Sequence, residues 1–156
     1  MHPKTFNNVE VADADSAEKP LLEPTCQLFE YVATKNFDAL AALCDDDFGI
    51  VDLDPEGKNV MVRTRAEWES WFKNLFHQLD SLNARTHTRI TKYDALPSPE
   101  MTMTVVEFTQ FLELNGERHP FDCVATIVWK WTGEAWKEAR WHVSLLQRHE
   151  PQPITE

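Results

Sequence analysis

The hydrophobic periodicity of the chain changes near Ser81, and this change constrains the fold more than any other feature of the sequence. Before Ser81, apolar residues recur three and four positions apart, which is typical of amphipathic helices. Beyond it, from Asn83 to Leu146, apolar residues alternate with polar ones in segments separated by turn signals, as in antiparallel strands. Helices followed by a run of strands predict an α+β domain, with one strongly bent antiparallel sheet and the helices on its concave side.

Local signals place the individual elements. The segment Thr64-Arg65-Ala66-Glu67 has the pattern of a capping box and begins a helix with a broad aromatic face. The dipeptide Asn115-Gly116 is a strong signal for a tight hairpin. We predict helices at residues 25–33, 37–43 and 65–79, and strands at residues 48–53, 60–62, 83–93, 101–114, 121–131 and 136–146.

Length and charge limit the class of protein. The chain has 156 residues, enough for one domain with its own core, and a formal net charge of −11. That charge argues against binding to nucleic acid or to an anionic membrane surface. Three widely spaced cysteines and the lack of an apolar leader or membrane span predict reduced thiols in a cytoplasmic protein. We predict a disordered N-terminal arm over residues 1–20, one domain over residues 21–147 and a flexible tail over residues 148–156.

Several common site motifs are absent from the sequence. No His, Cys or acidic residues have the spacing of zinc ligands, and we therefore predict no metal site. With 4 glycines in the chain there is no glycine-rich phosphate loop, and no serine lies in a nucleophile-elbow pattern.

Three segments carry a resemblance to a known family. They are Asn36–Phe48, the helix start Thr64–Phe72, and Trp131–Ser144 with its Trp-Thr-Gly-Glu-Ala-Trp beginning. In order and spacing they resemble the nuclear-transport-factor-2-like superfamily, which includes SnoaL-like polyketide cyclases and ketosteroid isomerase. The resemblance implies a cone-shaped α+β domain with an internal pocket. It does not fix the function, because this fold hosts isomerases, dehydratases, cyclases and non-catalytic binding proteins.

Asp52 is the first candidate catalytic residue. By the same resemblance it matches the general-base aspartate of ketosteroid isomerase, and an apolar surrounding would make its carboxylate a better base. The alternative is a solvated turn acid beside Asp54 and Glu56. The isomerase's tyrosine and protonated aspartic acid correspond to Leu28 and Ile127 here, so we reject steroid isomerisation by that mechanism.

The last predicted strand supplies the other two candidates. One of its faces carries Trp136, Glu138, Arg140, His142 and Ser144, and the resemblance implies that this face points into the pocket. His142 would then serve in proton transfer, and Arg140 would hold a substrate carboxylate or stabilise charge. The alternation of polar and apolar residues along the strand by itself favours the opposite orientation, in which the apolar residues face the helices and the polar residues face solvent. A second alternative is an internal polar network that satisfies buried groups.

The resemblance also implies a ligand-binding lining. It would be apolar and aromatic, suited to a small hydrophobic or flat molecule, unless these side chains simply fill the cone. An apolar convex face of the sheet would need a partner, which predicts a homodimer through that face. The predicted lining residues are Val32, Trp71, Phe72, Phe108, Gln110, Ile127 and Trp129.

Two functions remain open at this point. The first is a SnoaL-like enzyme that carries out proton-transfer chemistry on a small molecule without a cofactor, such as isomerisation, dehydration or cyclisation. The second is a non-catalytic ligand-binding or dimerisation domain. The two differ in whether Asp52 and His142 converge on one open cavity.

Overall fold

The structure, a computed structural model, describes residues 6–53 and 58–154. The predicted helices and strands occur in the predicted order, and one further short strand precedes them and another follows them. The helices are α1 (Leu22–Ala33), α2 (Phe37–Leu43) and α3 (Arg65–Ser81). The strands are β1 (Val9–Val11), β2 (Cys44–Leu53), β3 (Asn59–Val62), β4 (Arg85–Leu96), β5 (Met101–Leu114), β6 (Glu117–Trp131), β7 (Trp136–Arg148) and β8 (Gln152–Pro153).

All the strands join one curved, unclosed sheet. Its order is β1-β4-β5-β6-β7-β2-β3, and β8 pairs with the beginning of β6. The helices pack on the concave face, as predicted for this α+β fold. The sheet is mixed rather than purely antiparallel, because β1 runs parallel to β4 and β2 runs parallel to β7. Both pairs join strands that are distant in sequence, so no hairpin forces them to be antiparallel.

The predicted local signals are present in the structure. The Glu67 backbone N–H donates to Thr64 Oγ1 at 3.1 Å, and the Glu67 carboxylate accepts the N–H of Arg63 at 2.9 Å, which begins α3. Asn115 and Gly116 have φ values of 54° and 77°, the left-handed conformation that a tight two-residue hairpin requires. The helix start and the β5–β6 register are therefore fixed by local chemistry.

The core lies between α3 and the middle of the sheet. Trp68 and Phe72 of α3 are buried and pack against each other with ring centroids 5.0 Å apart. On β6, Ile127 and Trp129 are 0% exposed. These two residues were predicted to line a pocket, but they fill the core beneath the cavity described below.

The predicted disorder of residues 1–20 does not hold for residues 6–20. The β1 strand pairs with β4, Val9 is buried, and the Glu30 carboxylate of α1 accepts the N–H groups of Asn7 and Asn8 at 2.9 and 3.1 Å. The composition of this segment was misleading because backbone pairing at a sheet edge, together with the burial of Val9, holds the segment in place. Residues 1–5 lie outside the described residues.

The C-terminal segment also packs, against the prediction of a flexible tail over residues 148–156. β8 pairs with Glu117 and Arg118 of β6. His149 Nε2 lies 2.7 Å from Asp122 Oδ2, which joins this segment to the sheet a second time. Residues 155–156 lie outside the described part of the chain. Among the described helices, none is long and apolar enough to cross a membrane.

Candidate functional site

A cavity of about 210 Å³ lies between the concave face of the sheet and helices α1 and α3. Its wall is mostly apolar and aromatic, and it is partly open to solvent. Five of the seven predicted lining residues contribute to it: Val32, Trp71, Phe72, Phe108 and Gln110. The helices therefore cover the concave face without filling it, and the remaining space is smaller than most ligand pockets but has their apolar character.

Asp52 lies near the end of β2 and lines this cavity. Its side chain is half-buried. Position 52 is thus part of a strand, whereas the acids proposed as its turn neighbours, Asp54 and Glu56, lie outside the described residues. Its environment is that expected for the candidate base, and its catalytic role stays a prediction.

Glu138 is the second acidic residue on the cavity wall, and it was not among the predicted site residues. It is 3% exposed, lines the same cavity as Asp52, and accepts a hydrogen bond at 3.2 Å from the thiol of Cys44. The pKa of Glu138 is raised to about 8, mainly because the group is buried; the Cys44 hydrogen bond lowers the pKa and the negative charge of Asp52 raises it. Glu138 is therefore mostly protonated at neutral pH and can donate a proton or a hydrogen bond.

The cysteines around the cavity are not activated nucleophiles. Cys26, Cys44 and Cys123 are free and buried, as the sequence predicted. Burial raises the pKa of Cys123, which lines the cavity, to about 12, and it raises that of Cys44 as well. Thiols with raised pKa values stay protonated, so Cys44 acts here as a hydrogen-bond donor to Glu138.

Arg140 and His142 do not reach the cavity, and the prediction that they point into it is wrong. Both are exposed on the opposite, convex face of the sheet. Two guanidinium nitrogens of Arg140 donate to Asp47, to the carbonyl oxygen at 2.7 Å and to Oδ1 at 3.2 Å. The structure therefore brings Asp52 together with Glu138, and not with His142.

A β-bulge in β7 explains this reversal. Glu138 pairs with Trp129 of β6, whereas Arg140 pairs with the preceding residue Val128, so Ala139 is an extra residue in β7. An extra residue shifts the alternation by one position. Glu138 consequently faces the cavity, as the resemblance implied for the strand face that carries it. Beyond the bulge it is Trp141, Val143 and Leu145 that face inward, as alternation by itself favoured.

Trp141 contributes an unsatisfied hydrogen-bond donor. It is 8% exposed, and its ring packs on the concave side against Phe29 of α1 and Phe108 of β5, with centroids 5.8 and 6.5 Å away. Its indole N–H has no hydrogen-bond partner among the described residues. Buried donors are nearly always paired, so this N–H requires an explanation.

Gln110 adds a further polar group to the cavity wall. Its side-chain Oε1 accepts a hydrogen bond from the hydroxyl of Thr88 at 2.7 Å. With its oxygen engaged in this way, the amide has its N–H₂ group available as a donor. No Lys, Arg or His occurs among the described residues that line the cavity, and residues 6–53 and 58–154 contain no cluster of three possible metal ligands.

The convex face carries a second, open groove of about 710 Å³. Met61 on its rim is 58% exposed, and Val124 and Val128 form part of its floor. Its polar lining includes Asp47 and Arg140. This face is thus mixed in character, with apolar side chains between charges of both signs.

Comparison with known proteins identifies the family. A family model of the SnoaL-like domain matches residues 25–147 of the chain. The chain therefore belongs to the SnoaL-like domain family, as the resemblance of its motifs implied.

Solved structures share the fold at low sequence identity. One is the β subunit of benzoate 1,2-dioxygenase from Burkholderia mallei, with TM-score 0.70 and 12% identity over 92% of this chain and 93% of that chain. Another is the CamKII hub homology domain of Chlamydomonas reinhardtii, with TM-score 0.64 and 15% identity over 81% and 96% of the two chains. A third is a nuclear-transport-factor-2-like protein with a cystatin-like fold from Novosphingobium aromaticivorans, with TM-score 0.65 and 12% identity over 80% and 79%. At these identities the likeness extends to the fold alone.

Proposed function

We propose that this protein binds a small, largely hydrophobic molecule in its cavity and transfers a proton on it without a cofactor. The observation that carries the proposal is the presence of two carboxyl groups in different environments on one apolar cavity: Asp52 is half-buried, and Glu138 is buried. Pairs of acids whose surroundings separate their protonation states are typical of acid–base sites.

The roles of the two groups follow from their environments. The raised pKa of Glu138 supports a protonated acid that faces a developing negative charge on the ligand. Asp52, partly accessible to solvent, is the base that takes the proton. On a carbonyl compound, the C–H proton would pass to Asp52 while Glu138 donates to the carbonyl oxygen, which gives the enol. Return of a proton from Asp52 to carbon, with return of the enol O–H proton to Glu138, restores the ketone and both carboxyl groups.

Hydrogen exchange on a model ketone tests this proposal. The probe is 2-tetralone, a flat ketone with acidic C–H bonds, and deuterium uptake from D₂O is followed by NMR. We expect the protein to accelerate uptake and the variant Asp52→Asn to lose about 100-fold of that acceleration, because general-base catalysis contributes at least this much. Glu134→Gln changes an exposed turn acid and serves as the matched control. Equal exchange by the wild type and Asp52→Asn would contradict the assignment of the base.

The rival function, a non-catalytic association domain, keeps support from the convex face. We propose that this face joins a second copy of the chain into a homodimer. The groove carries Asp47 and Arg140 beside exposed apolar side chains, so the same patch offers both charges and can complement itself across a twofold axis. The three free, buried cysteines support a reducing, cytoplasmic location for the assembly.

Light scattering after size-exclusion chromatography tests the dimer. We expect the wild type to elute with twice the 18.1 kDa mass of one chain, and the variant Val128→Glu to elute as a monomer, because it places an unpaired charge in the groove. The control Leu96→Glu changes an exposed apolar residue outside the groove. A monomeric wild type, or a dimeric Val128→Glu variant, would rule out this interface.

A further inference from the structure

We infer that the cavity selects an uncharged ligand whose flat apolar body carries a hydrogen-bond-accepting oxygen, and that the indole N–H of Trp141 donates to that oxygen. This inference rests on the proposed function, since it names the class of molecule that the same cavity takes. It adds a binding residue, Trp141, and a rule for ligand charge.

The first argument is the unpaired N–H of Trp141. Its ring packs on the cavity side against Phe29 and Phe108, and its N–H has no partner in the described part of the chain. An indole N–H can only donate, so the partner that would satisfy it is an acceptor on a bound molecule. Trp129 offers a useful contrast, because its N–H is also unpaired but the residue does not line the cavity.

The second argument is that other donors face the same space. Glu138 precedes Trp141 on β7, and the bulge at Ala139 turns both residues toward the cavity. Gln110 faces it from β5 with its oxygen already engaged by Thr88. A protonated carboxyl, an indole N–H and an amide N–H₂ together form a lining that favours oxygen acceptors.

The third argument concerns charge. The described cavity wall holds two acids and no basic side chain. A carboxylate ligand would meet the negative charge of Asp52 on a mostly apolar wall, and no basic side chain of the described wall would balance the charge of the ligand itself. An ammonium ligand would be attracted to Asp52 but would leave the Trp141 N–H unpaired. The uncharged acceptor is the one class that satisfies both features.

A series of four probes on one aromatic body tests the inference: naphthalene, 2-acetylnaphthalene, 2-naphthoate and 2-(aminomethyl)naphthalene. Dissociation constants are measured by isothermal titration calorimetry at pH 6.5. We expect 2-acetylnaphthalene to bind about fivefold more tightly than naphthalene, the value of one net hydrogen bond, and 2-naphthoate to bind more weakly than either. In the variant Trp141→Phe that fivefold ratio should disappear, so that 2-acetylnaphthalene and naphthalene bind with equal affinity.

Trp129→Phe is the matched control, because it removes the same N–H from a position outside the cavity and should keep the fivefold preference. Thermal unfolding of both variants checks that each is folded. Tightest binding of 2-naphthoate or of the amine would overturn the inference, as would an unchanged preference in Trp141→Phe. Naphthalene binding with no preference among the probes contradicts the inference alone, whereas no binding of any probe contradicts the proposed ligand site as well.

Discussion

Two carboxyl groups on opposite faces of the sheet show how packing sets side-chain chemistry. Glu138 on the concave side is buried, and its pKa is raised to about 8, with burial as the largest cause. Asp122 on the other side is also penalised by burial, but hydrogen bonds from His149 and Thr109 outweigh that effect and lower its pKa. The difference lies in the partners: the concave acid has a weak thiol donor and a nearby negative charge, whereas Asp122 has two good donors.

The same contrast holds for the neighbouring residues 141 and 142 of β7. Trp141 is almost fully buried against α1 and β5, and His142 is exposed on the convex face. Adjacent residues of one strand thus belong to the core and to a surface groove. We therefore expect substitutions on the convex face to affect folding less than substitutions on the concave face.

The largest expected effect compares these two neighbours. Trp141→Ala should lower the free energy of unfolding by about 3–5 kcal/mol, the usual cost of emptying a buried aromatic site. His142→Ala should change it by less than about 0.5 kcal/mol, as is usual for exposed positions. Urea denaturation followed by circular dichroism measures both. A comparable loss in the two variants would show that the bulge at Ala139 does not divide the strand as described.

The next prediction uses the pH dependence of Glu138. Its pKa is higher in the folded protein, about 8, than the reference value of 4.5, so the folded state binds more protons between these pH values. Its contribution to stability therefore falls as pH rises through this window, by up to about 1.4 kcal/mol per pH unit. Glu138→Gln removes this contribution, so the variant should gain stability relative to the wild type from pH 5 to pH 8.

Urea denaturation of the wild type and of Glu138→Gln at pH 5, 6, 7 and 8 measures the difference in their free energies of unfolding. The control is Glu107→Gln, which changes an acid of β5 that does not line the cavity. The difference in free energy of unfolding between Glu138→Gln and the wild type should change more with pH than the difference between Glu107→Gln and the wild type. A pH-independent difference for Glu138→Gln would mean that its carboxyl is ionised at every pH tested, and the proposed acid would be lost.

Most of the fold could be predicted because local signals decide it. The Thr64 capping box, the Asn115-Gly116 turn and the change of period at Ser81 each reflect interactions within a few residues. The edge strand β1 could not be predicted in this way. Its three residues gain order from a backbone partner, β4, that lies far along the chain, and no side-chain pattern records that pairing.

The site was predicted less completely, and one residue accounts for most of the difference. The extra residue Ala139 reverses the alternation of β7, and a bulge depends on how two strands fit rather than on a distinctive residue type. Glu138 did lie on the face expected to point inward, beside Trp136. It is hard to identify from the sequence, because nothing distinguishes one buried acid among the 26 acidic residues of the chain. An acid flanked by inward-facing aromatic positions is the pattern that could have identified it.

The smallest expected effect returns to Asp122, whose lowered pKa has the opposite sign of pH dependence from Glu138. A carboxylate with a lowered pKa contributes stability that is present above its unfolded value and lost as pH falls through the folded one. Asp122→Asn should thus cost less than about 1 kcal/mol near neutral pH, because the pair with His149 is partly exposed, and less still toward pH 3. Urea denaturation of wild type and variant at pH 3.5, 5 and 6.5 measures it. A cost that grows as pH falls would show that the two faces do not impose opposite protonation on their acids.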